Sequence, residues 1–357
     1  MNNLSKPDKT YRVVQWAAGT VGRCAMRAVV RHPKMELVGL KVFSDAKVGQ
    51  DIGVLAGLDK PVGINATQSI DDVIASKPDC VLYMQEGFNI DDMCQLLEAG
   101  INLVTTRSEF FNTEKMHVEH KERLETACQQ GKSSLFATGS SPGFITVVMP
   151  LAMLYMSRRL DCLTIDEYAD VPATCSLEMT TQVMGFGSAP LEGGVHPLML
   201  EHMAEGFAQS LTTVADACGI RLDGFETKGE VALANHPIPL SDVVVIEKGT
   251  VAALRITVAG MKDGKPVLIF RANWYCSRDV DQDWDLKEMG WRVNIETDTP
   301  MLLNITFPRI EDQVLSEQMA GHTAHPAVNA VPYVCEAAPG IRTNIDMAPI
   351  IPWFGER

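Results

Sequence analysis

A glycine turn between a strand and a helix has the most recognisable chemistry in this sequence. Residues 17–22, AAGTVG, follow the apolar run YRVVQW and precede a helical pattern that stops at Pro33. Their spacing is that of G-x-G-x-x-G with alanine in the first position. The middle glycine lets backbone approach a pyrophosphate, the last lets the helix pack on the strand, and the helix N-terminus attracts phosphate. We therefore predict a dinucleotide site at Ala18, Gly19, Thr20, Val21 and Gly22.

The end of the second predicted strand bears on which dinucleotide binds. NAD-specific sites normally carry an acidic residue there, which accepts a hydrogen bond from the ribose 2'-hydroxyl. Here the strand ends in KVFSDAKVG, with Ser44 at that place and Lys47 close by. Serine and lysine suit a 2'-phosphate, so we predict NADP(H). Asp45 keeps NAD(H) open as the alternative cofactor. The alternative for Lys47 is an ordinary solvated charge in the loop, without a role in binding.

A carboxylate follows a later strand of the same half of the chain. The strand INLVTT includes Thr105, and Glu109 comes shortly after it. Loops at the carboxyl ends of parallel strands line the ligand crevice, so we expect Thr105 and Glu109 near the nicotinamide. A carboxylate there can hold an ammonium, take its proton and balance the charge as hydride leaves carbon. The alternative role for Glu109 is an acid at the N-terminus of a helical turn.

Composition excludes several classes of function. Of 357 residues, 46% are hydrophobic and 21% are charged, as in ordinary soluble globular proteins. The net charge of −14 argues against a nucleic-acid or anionic-membrane partner, because either needs a basic surface. Nine scattered cysteines without a CxxC pair predict free thiols in a reducing compartment. With a polar N-terminus and no apolar stretch long enough to span a bilayer, we expect a cytoplasmic protein.

The predicted elements change character at about residue 150. Before it, apolar strands alternate with helices, which predicts an α/β domain with a parallel sheet wound on both sides. After it, runs such as KPVLIFRANWYC and GWRVNIETD predict a second, largely antiparallel sheet with one long helix, PLMLEHMAEGFAQSLTTVADACG. The DGK turn at 263–265 predicts a hairpin, and AHPAVNAVPYVCEAAPG predicts a helix near the end of the chain.

Several motifs carry a resemblance over nearly the whole chain. They are the glycine turn, SDAKVGQDIG, TGSSPGF, GWRVNIE and GHTAHPAVNAVPYVCEAAPG. The sequence resembles the NAD(P)H-dependent oxidoreductases related to dihydrodipicolinate reductase, a group that includes native amine dehydrogenases and 2,4-diaminopentanoate dehydrogenase. The resemblance implies a Rossmann domain over 1–150, an α+β substrate and dimerisation domain over 151–320, and a segment over 321–357 that packs back on the Rossmann domain. It also implies a homodimer.

Within this group the sequence favours amine chemistry. True dihydrodipicolinate reductases carry a histidine pair with a nearby lysine, whereas His196 and His202 have no adjacent lysine. Amine dehydrogenases of the group are similar in carrying a glutamate at the place of Glu109. The resemblance therefore implies interconversion of a primary amine with a ketone or aldehyde plus ammonia, through an imine. Two alternatives stay open: a carbonyl or cyclic-imine reductase with Glu109 or Tyr168 as proton donor, and a non-catalytic NAD(P)-binding sensor.

The substrate pocket is expected where TGSSPGF faces the second domain, with Gly139 at the cofactor. The residues expected to line it are Phe110, Ser140, Ser141, Phe144, Glu167, Tyr168 and Phe186. Only one face of a strand can point inward, so a solvent-facing position is the alternative for Glu167. Core packing is the alternative for Phe186. A serine hydrolase is not expected, because the serines lack a G-x-S-x-G elbow. No metal is expected either, because His322 and His325 lack a third ligand.

Overall fold

The chain folds into two compact units, and the computed structural model describes residues 9–311 and 313–346. Unit 1 combines the residues up to Phe144 with those from Glu317 onward, and unit 2 runs from Ile145 to Ser316. Among the residues described, none of the helices combines the length with the apolar character that crossing a bilayer requires.

The strands and helices have the following bounds. In chain order the strands are β1 (Tyr11–Trp16), β2 (Met35–Lys41), β3 (Cys80–Tyr83), β4 (Asn102–Thr105), β5 (Ser134–Ala137), β6 (Leu160–Asp170), β7 (Gly224–Leu233), β8 (Ile238–Pro239), β9 (Val245–Ile246), β10 (Val251–Lys262), β11 (Lys265–Tyr275), β12 (Gly290–Thr297), β13 (Met301–Thr306) and β14 (Gly340–Arg342). The α-helices are α1 (Thr20–Arg31), α2 (Ile52–Ala56), α3 (Ile70–Ala75), α4 (Ile90–Glu98), α5 (Val118–Gly131), α6 (Met149–Leu154), α7 (Val171–Thr174), α8 (Pro197–Ala217) and α9 (Leu315–Glu336). Short or irregular helical segments are Asp45–Lys47, Ser108–Phe110, Ser140–Val148 and Met179–Val183.

Unit 1 is built on a six-stranded parallel sheet with the order β14-β5-β4-β3-β1-β2. Every residue of β3 and β5 is buried, as expected for strands covered on both faces. One face packs on α1 and α9, and the other packs on α4 and α5. Strands β2 and β3 lie on opposite sides of β1, so the strand order reverses there. The predicted Rossmann-type α/β fold is confirmed.

The last described part of the chain completes unit 1. Helix α9 begins at Leu315, nine residues before the predicted helix, and its Ala327 and Val331 are fully buried in the core that also holds Tyr11. The Tyr11 hydroxyl donates to Oε1 of Glu336 over 2.8 Å. Strand β14 then pairs in parallel with β5 at the edge of the sheet. Unit 1 is therefore discontinuous in sequence.

Unit 2 is built on a second six-stranded sheet with the order β13-β12-β6-β11-β10-β7. Its neighbouring strands are antiparallel except for β6 and β11, which are parallel. Helix α8 covers one face, where Phe207 stacks on Phe270 with ring centroids 3.6 Å apart. The predicted hairpin between β10 and β11 is present, with Asp263 and Gly264 at φ of 51° and 69°, as the tight turn requires. The expected α+β unit on a largely antiparallel sheet is confirmed.

Candidate active site

The glycine turn lies at the carboxyl end of β1, beside the reversal in strand order. A Cβ added to Gly22 would lie 2.3 Å from the carbonyl oxygen of Ala17, so only glycine lets α1 pack this closely. A Cβ added to Gly19 would meet nothing within 4 Å. Gly19 precedes α1, whose first turn carries no acidic residue and whose first N-H groups lack intrahelical partners. The two glycines therefore serve different needs: Gly22 serves packing, and Gly19 leaves open space before the helix N-terminus.

This arrangement fits the pyrophosphate of a dinucleotide. In open α/β sheets, ligands bind outside the carboxyl ends of the strands where the strand order reverses, and the glycine turn occupies that place. Exposed Thr20 and half-buried Val21 begin the helix that faces the open space at Gly19. Free N-H groups and the positive end of the helix dipole favour an anion there. The turn therefore offers the open space and the free N-H groups that a phosphate would need.

The alanine in the first glycine position has an unusual backbone conformation. Ala17 has φ of 77°, in the left-handed region that favours glycine. The fully buried Gln15 side chain donates from Nε2 to the carbonyl oxygens of Trp16, at 3.2 Å, and of Ala17, at 3.1 Å. These hydrogen bonds hold the turn in place. Gln15 was not singled out from the sequence, because a glutamine inside a strand gives no local signal of such a contact.

Ala17→Gly should stabilise the protein. Glycine adopts the left-handed conformation without the Cβ clash, so the free energy of unfolding should rise by about 0.5–1 kcal/mol after the entropy that glycine gains in the unfolded chain is subtracted. Urea unfolding monitored by tryptophan fluorescence would measure it. A lower free energy of unfolding in Ala17→Gly would show that Ala17 is not strained.

The segment after β2 brings one predicted cation to the turn. Lys47 Nζ donates to the carbonyl oxygen of Ala18 over 3.3 Å, so Lys47 is more than a distant loop charge. Ser44 is exposed just before the helical turn Asp45–Lys47. Asp45 accepts from Nε2 of Gln68 over 2.9 Å, which occupies one of its oxygens. The geometry thus brings a lysine next to the dinucleotide turn.

A second lysine at this edge of the sheet was missed from the sequence. Lys41 ends β2, and its Nζ lies 5.3 Å from the Trp16 ring centroid and 4.4 Å from that of Phe43. The aromatic faces stabilise the cation, although burial of this side chain lowers the pKa of its ammonium. Only the packing of the two rings reveals Lys41, since the lysine looks like an ordinary strand end in the sequence.

The candidate catalytic carboxylate lies beyond the carboxyl end of β4 and is paired. Glu109 accepts from Arg107 through both oxygens: Nε to Oε2 over 3.2 Å and Nη2 to Oε1 over 2.5 Å. Both side chains are partly exposed, at 20% for Arg107 and 28% for Glu109. The Oγ1 atom of buried Thr105 accepts from the backbone N-H of Arg107 over 3.2 Å. Glu109 also lies in the first turn of Ser108–Phe110, as its alternative role requires.

The segment after β5 lies at the same edge of the parallel sheet. Gly139 is buried, and the hydroxyl oxygens of Ser140 and Thr323 of α9 are 2.8 Å apart. The Ser141 Oγ is buried without a hydrogen-bond partner among the described residues. Phe144 is 41% exposed. Ser141 therefore retains hydrogen-bonding capacity for a ligand, whereas the hydroxyl of Ser140 is engaged by α9.

Two of the phenylalanines expected in the pocket lie in hydrophobic cores. Phe110 is 1% exposed and packs edge-to-face on Phe88 with ring centroids 5.1 Å apart, inside unit 1. Phe186 is 2% exposed in the core of unit 2, which was the alternative for this residue. Apolar periodicity alone does not separate a core ring from a pocket ring.

Glu167 and Tyr168 lie on opposite faces of the unit 2 sheet, as strand alternation requires. Glu167 accepts from two indole N-H groups, Trp274 Nε1 over 3.1 Å and Trp291 Nε1 over 2.9 Å. Tyr168 is 8% exposed near Arg255, and burial raises the pKa of its hydroxyl. Glu167 is thus an acceptor for two tryptophans, a contact that the sequence did not predict.

Comparison with known proteins identifies the family. Residues 148–356 match the family model of the 2,4-diaminopentanoate dehydrogenase C-terminal domain. The chain belongs to this family. It is 26% identical to an amine dehydrogenase of Streptomyces virginiae over an alignment of 360 residues. The alignment covers 96% of this chain and 97% of that protein. The resemblance inferred from the sequence is confirmed.

Solved structures give the same fold. An amine dehydrogenase from Mycobacterium smegmatis superposes with a TM-score of 0.75 at 17% identity, covering 97% of this chain and 98% of that one. The structure of GenD2 from gentamicin A biosynthesis, in complex with NAD, gives a TM-score of 0.50 at 13% identity and covers 95% of each chain. The protein is an NAD(P)-dependent oxidoreductase, and the expected nicotinamide dinucleotide agrees with its glycine turn.

Proposed function

We propose that this oxidoreductase is an amine dehydrogenase that interconverts a primary amine with a ketone or aldehyde plus ammonia. The observation that carries the proposal is the Glu109 carboxylate, which follows β4 at the same edge of one parallel sheet as the glycine turn that follows β1. Similarity to an amine dehydrogenase along 96% of the chain supports it. Glu109 is the residue that binds and deprotonates the amine.

The proposed reaction consumes the ammonium form of the amine. The Glu109 carboxylate accepts a hydrogen bond from the substrate ammonium and takes one proton, which leaves a neutral amine. The nicotinamide supplies the hydride acceptor for the C–H electron pair. Glu109 then passes its proton to water. As the C–H pair leaves, the nitrogen lone pair forms the C=N bond, and the restored carboxylate balances the positive charge of the iminium. Addition of water and loss of ammonium give the carbonyl compound.

A spectrophotometric panel tests this proposal. Oxidation of NADPH and of NADH would be followed with acetone, cyclohexanone, pentan-2-one and isobutyraldehyde, each with and without ammonium chloride. Turnover that requires ammonium supports the amine dehydrogenase. Turnover indifferent to ammonium would indicate a carbonyl reductase, and NADPH binding without turnover of any compound would indicate a sensor.

We propose NADP(H) as the preferred dinucleotide because of Lys47. A lysine that contacts the glycine turn through Ala18 can pair with a 2'-phosphate, whereas NADH offers it no such anion. Lys47→Ala should raise the Kd for NADPH about tenfold and leave the Kd for NADH within about twofold, since a charged hydrogen bond contributes roughly 1.5 kcal/mol. Titration of nicotinamide fluorescence measures both constants.

Lys60→Ala is the matched control, because Lys60 is an exposed lysine of the same unit. It should change neither Kd. An equal loss of affinity for NADPH and NADH in Lys47→Ala would contradict recognition of a 2'-phosphate by Lys47.

We also propose, from the family resemblance, that the protein is a homodimer through the unit 2 sheet. Light scattering coupled to size-exclusion chromatography would give the mass. A monomer would remove this part of the proposal without affecting the chemistry assigned to Glu109.

A further inference from the structure

We propose that Arg107 is the positioning residue for the proposed catalytic carboxylate: it fixes the orientation of Glu109. The inference rests on the proposed function of Glu109. Arg107 was not predicted from the sequence, and nothing in the family comparison assigns it a role. Two hydrogen bonds join the side chains of Arg107 and Glu109.

The contact has the geometry that only arginine provides. The Nε and Nη2 atoms of Arg107 contact different oxygens of Glu109, at 3.2 and 2.5 Å. Two parallel hydrogen bonds fix the plane of the carboxylate as well as its position, whereas a lysine would make a point contact about which the carboxylate could rotate. The pair therefore determines the direction in which the free lone pairs of Glu109 point.

The backbone that carries the pair is held from both sides. Upstream, the N-H of Arg107 donates to Thr105 Oγ1 at the end of β4. Downstream, the Phe110 N-H donates to the Arg107 carbonyl over 3.4 Å, and the Phe110 and Phe111 side chains are each 1% exposed. The turn between Arg107 and Glu109 is thus fixed by core packing, so the side-chain pair forms without reordering the backbone.

The pair leaves Glu109 able to act on an amine. Each carboxylate oxygen has two lone pairs, and the guanidinium takes one from each, so a substrate ammonium can donate to the same carboxylate while Arg107 stays bound. Arg107 therefore orients the carboxylate without occupying the lone pairs to which a substrate ammonium would donate.

The test compares Arg107→Met and Arg107→Lys with wild type. The substrate is the amine that corresponds to the best carbonyl compound of the ammonium panel, oxidised with NADP+. At about pH 7, Arg107→Met should lower kcat about a hundredfold with KM within about threefold, since a misoriented base slows the chemical step. Arg107→Lys keeps the charge without the bidentate contact, so its kcat should be about tenfold higher than that of Arg107→Met.

Two readouts separate this role from a structural one. The first is the loss in kcat without a matching change in KM, together with its partial recovery in Arg107→Lys. In the Glu109→Gln background, Arg107→Met should cost less than about twofold, because its action passes through Glu109. The Kd for NADPH and the melting temperature serve as controls and should match those of wild type.

Failure of the role proposed for Arg107 can be distinguished from failure of the proposed function. A wild-type enzyme without ammonium-dependent turnover overturns both proposals. Turnover in wild type with an unchanged kcat in Arg107→Met overturns only the role of Arg107. The same holds for an equal loss in the Glu109→Gln background, because it would mean that Arg107 acts independently of Glu109.

Discussion

Glu109→Gln should lower kcat/KM for amine oxidation about a thousandfold and leave the Kd for NADPH within about twofold of wild type. Glutamine keeps the shape of the side chain but neither accepts a proton at neutral pH nor balances the charge of an iminium. Both Glu109 and its partner Arg107 are partly exposed, so the unpaired guanidinium can be solvated and the fold should persist. Steady-state rates with NADP+ and fluorescence titration of NADPH check the two halves of the prediction.

Glu114→Gln is the matched control for this substitution. Glu114 is an exposed glutamate of the same connection between β4 and α5, and its Oε1 pairs with Lys121 Nζ at 2.8 Å. It should keep wild-type kcat/KM. If Glu109→Gln retained wild-type activity, Glu109 would be no more than an acid in the first turn of a helical segment.

Alanine at the two glycines of the dinucleotide turn should weaken NADPH binding in both cases but destabilise the fold only at Gly22. In Gly22→Ala the new Cβ meets the backbone oxygen of Ala17 at 2.3 Å, and that oxygen cannot rotate away. The free energy of unfolding should fall by about 2–3 kcal/mol, the range for an overpacked site. The Kd for NADPH should rise more than about tenfold, because α1 and the turn must separate.

Gly19→Ala should instead affect binding alone. Its Cβ meets no atom within 4 Å, and φ of −75° suits any residue, so the free energy of unfolding should change by less than about 0.5 kcal/mol. The Kd for NADPH should nevertheless rise about tenfold or more, because the methyl group occupies the space through which a phosphate approaches the backbone. Urea unfolding and fluorescence titration measure the two quantities on the same preparations.

The contrast between the variants is the informative result. Wild-type affinity in Gly19→Ala would mean that the pyrophosphate does not approach Gly19, and the site would have to be reassigned. A stable Gly22→Ala would mean that the turn relaxes around the added methyl group.

Local sequence signals predicted most of the fold. The strand, turn and helix formed by β1 and α1, the helix α8 and the Asp263-Gly264 hairpin each have strong local patterns, and each is present. Strand β14 was missed, because three residues become a strand only by pairing with β5, which lies some 200 residues away in sequence. The parallel pairing of β6 with β11 depends on distant contacts in the same way.

For the candidate site, the sequence predicted individual residues but not the contacts between them. Glu109 could be selected because the rule that places ligands at the carboxyl ends of strands applies to one residue at a time. Arg107 could not, because its pairing with a residue two positions away depends on the helical turn Ser108–Phe110. Pairing with Trp274 and Trp291 likewise gives Glu167 a function that only tertiary structure reveals.

An isotope experiment follows both the hydride and the nitrogen into the product. The enzyme would receive NADPH deuterated at both C4 positions, 15N-ammonium and the best carbonyl compound of the panel, and the product would be analysed by mass spectrometry. If the reaction passes through an imine, we expect an amine that carries one deuterium on carbon and one 15N. An alcohol that carries deuterium without nitrogen would contradict it, and would show hydride transfer to a carbonyl carbon in place of an imine.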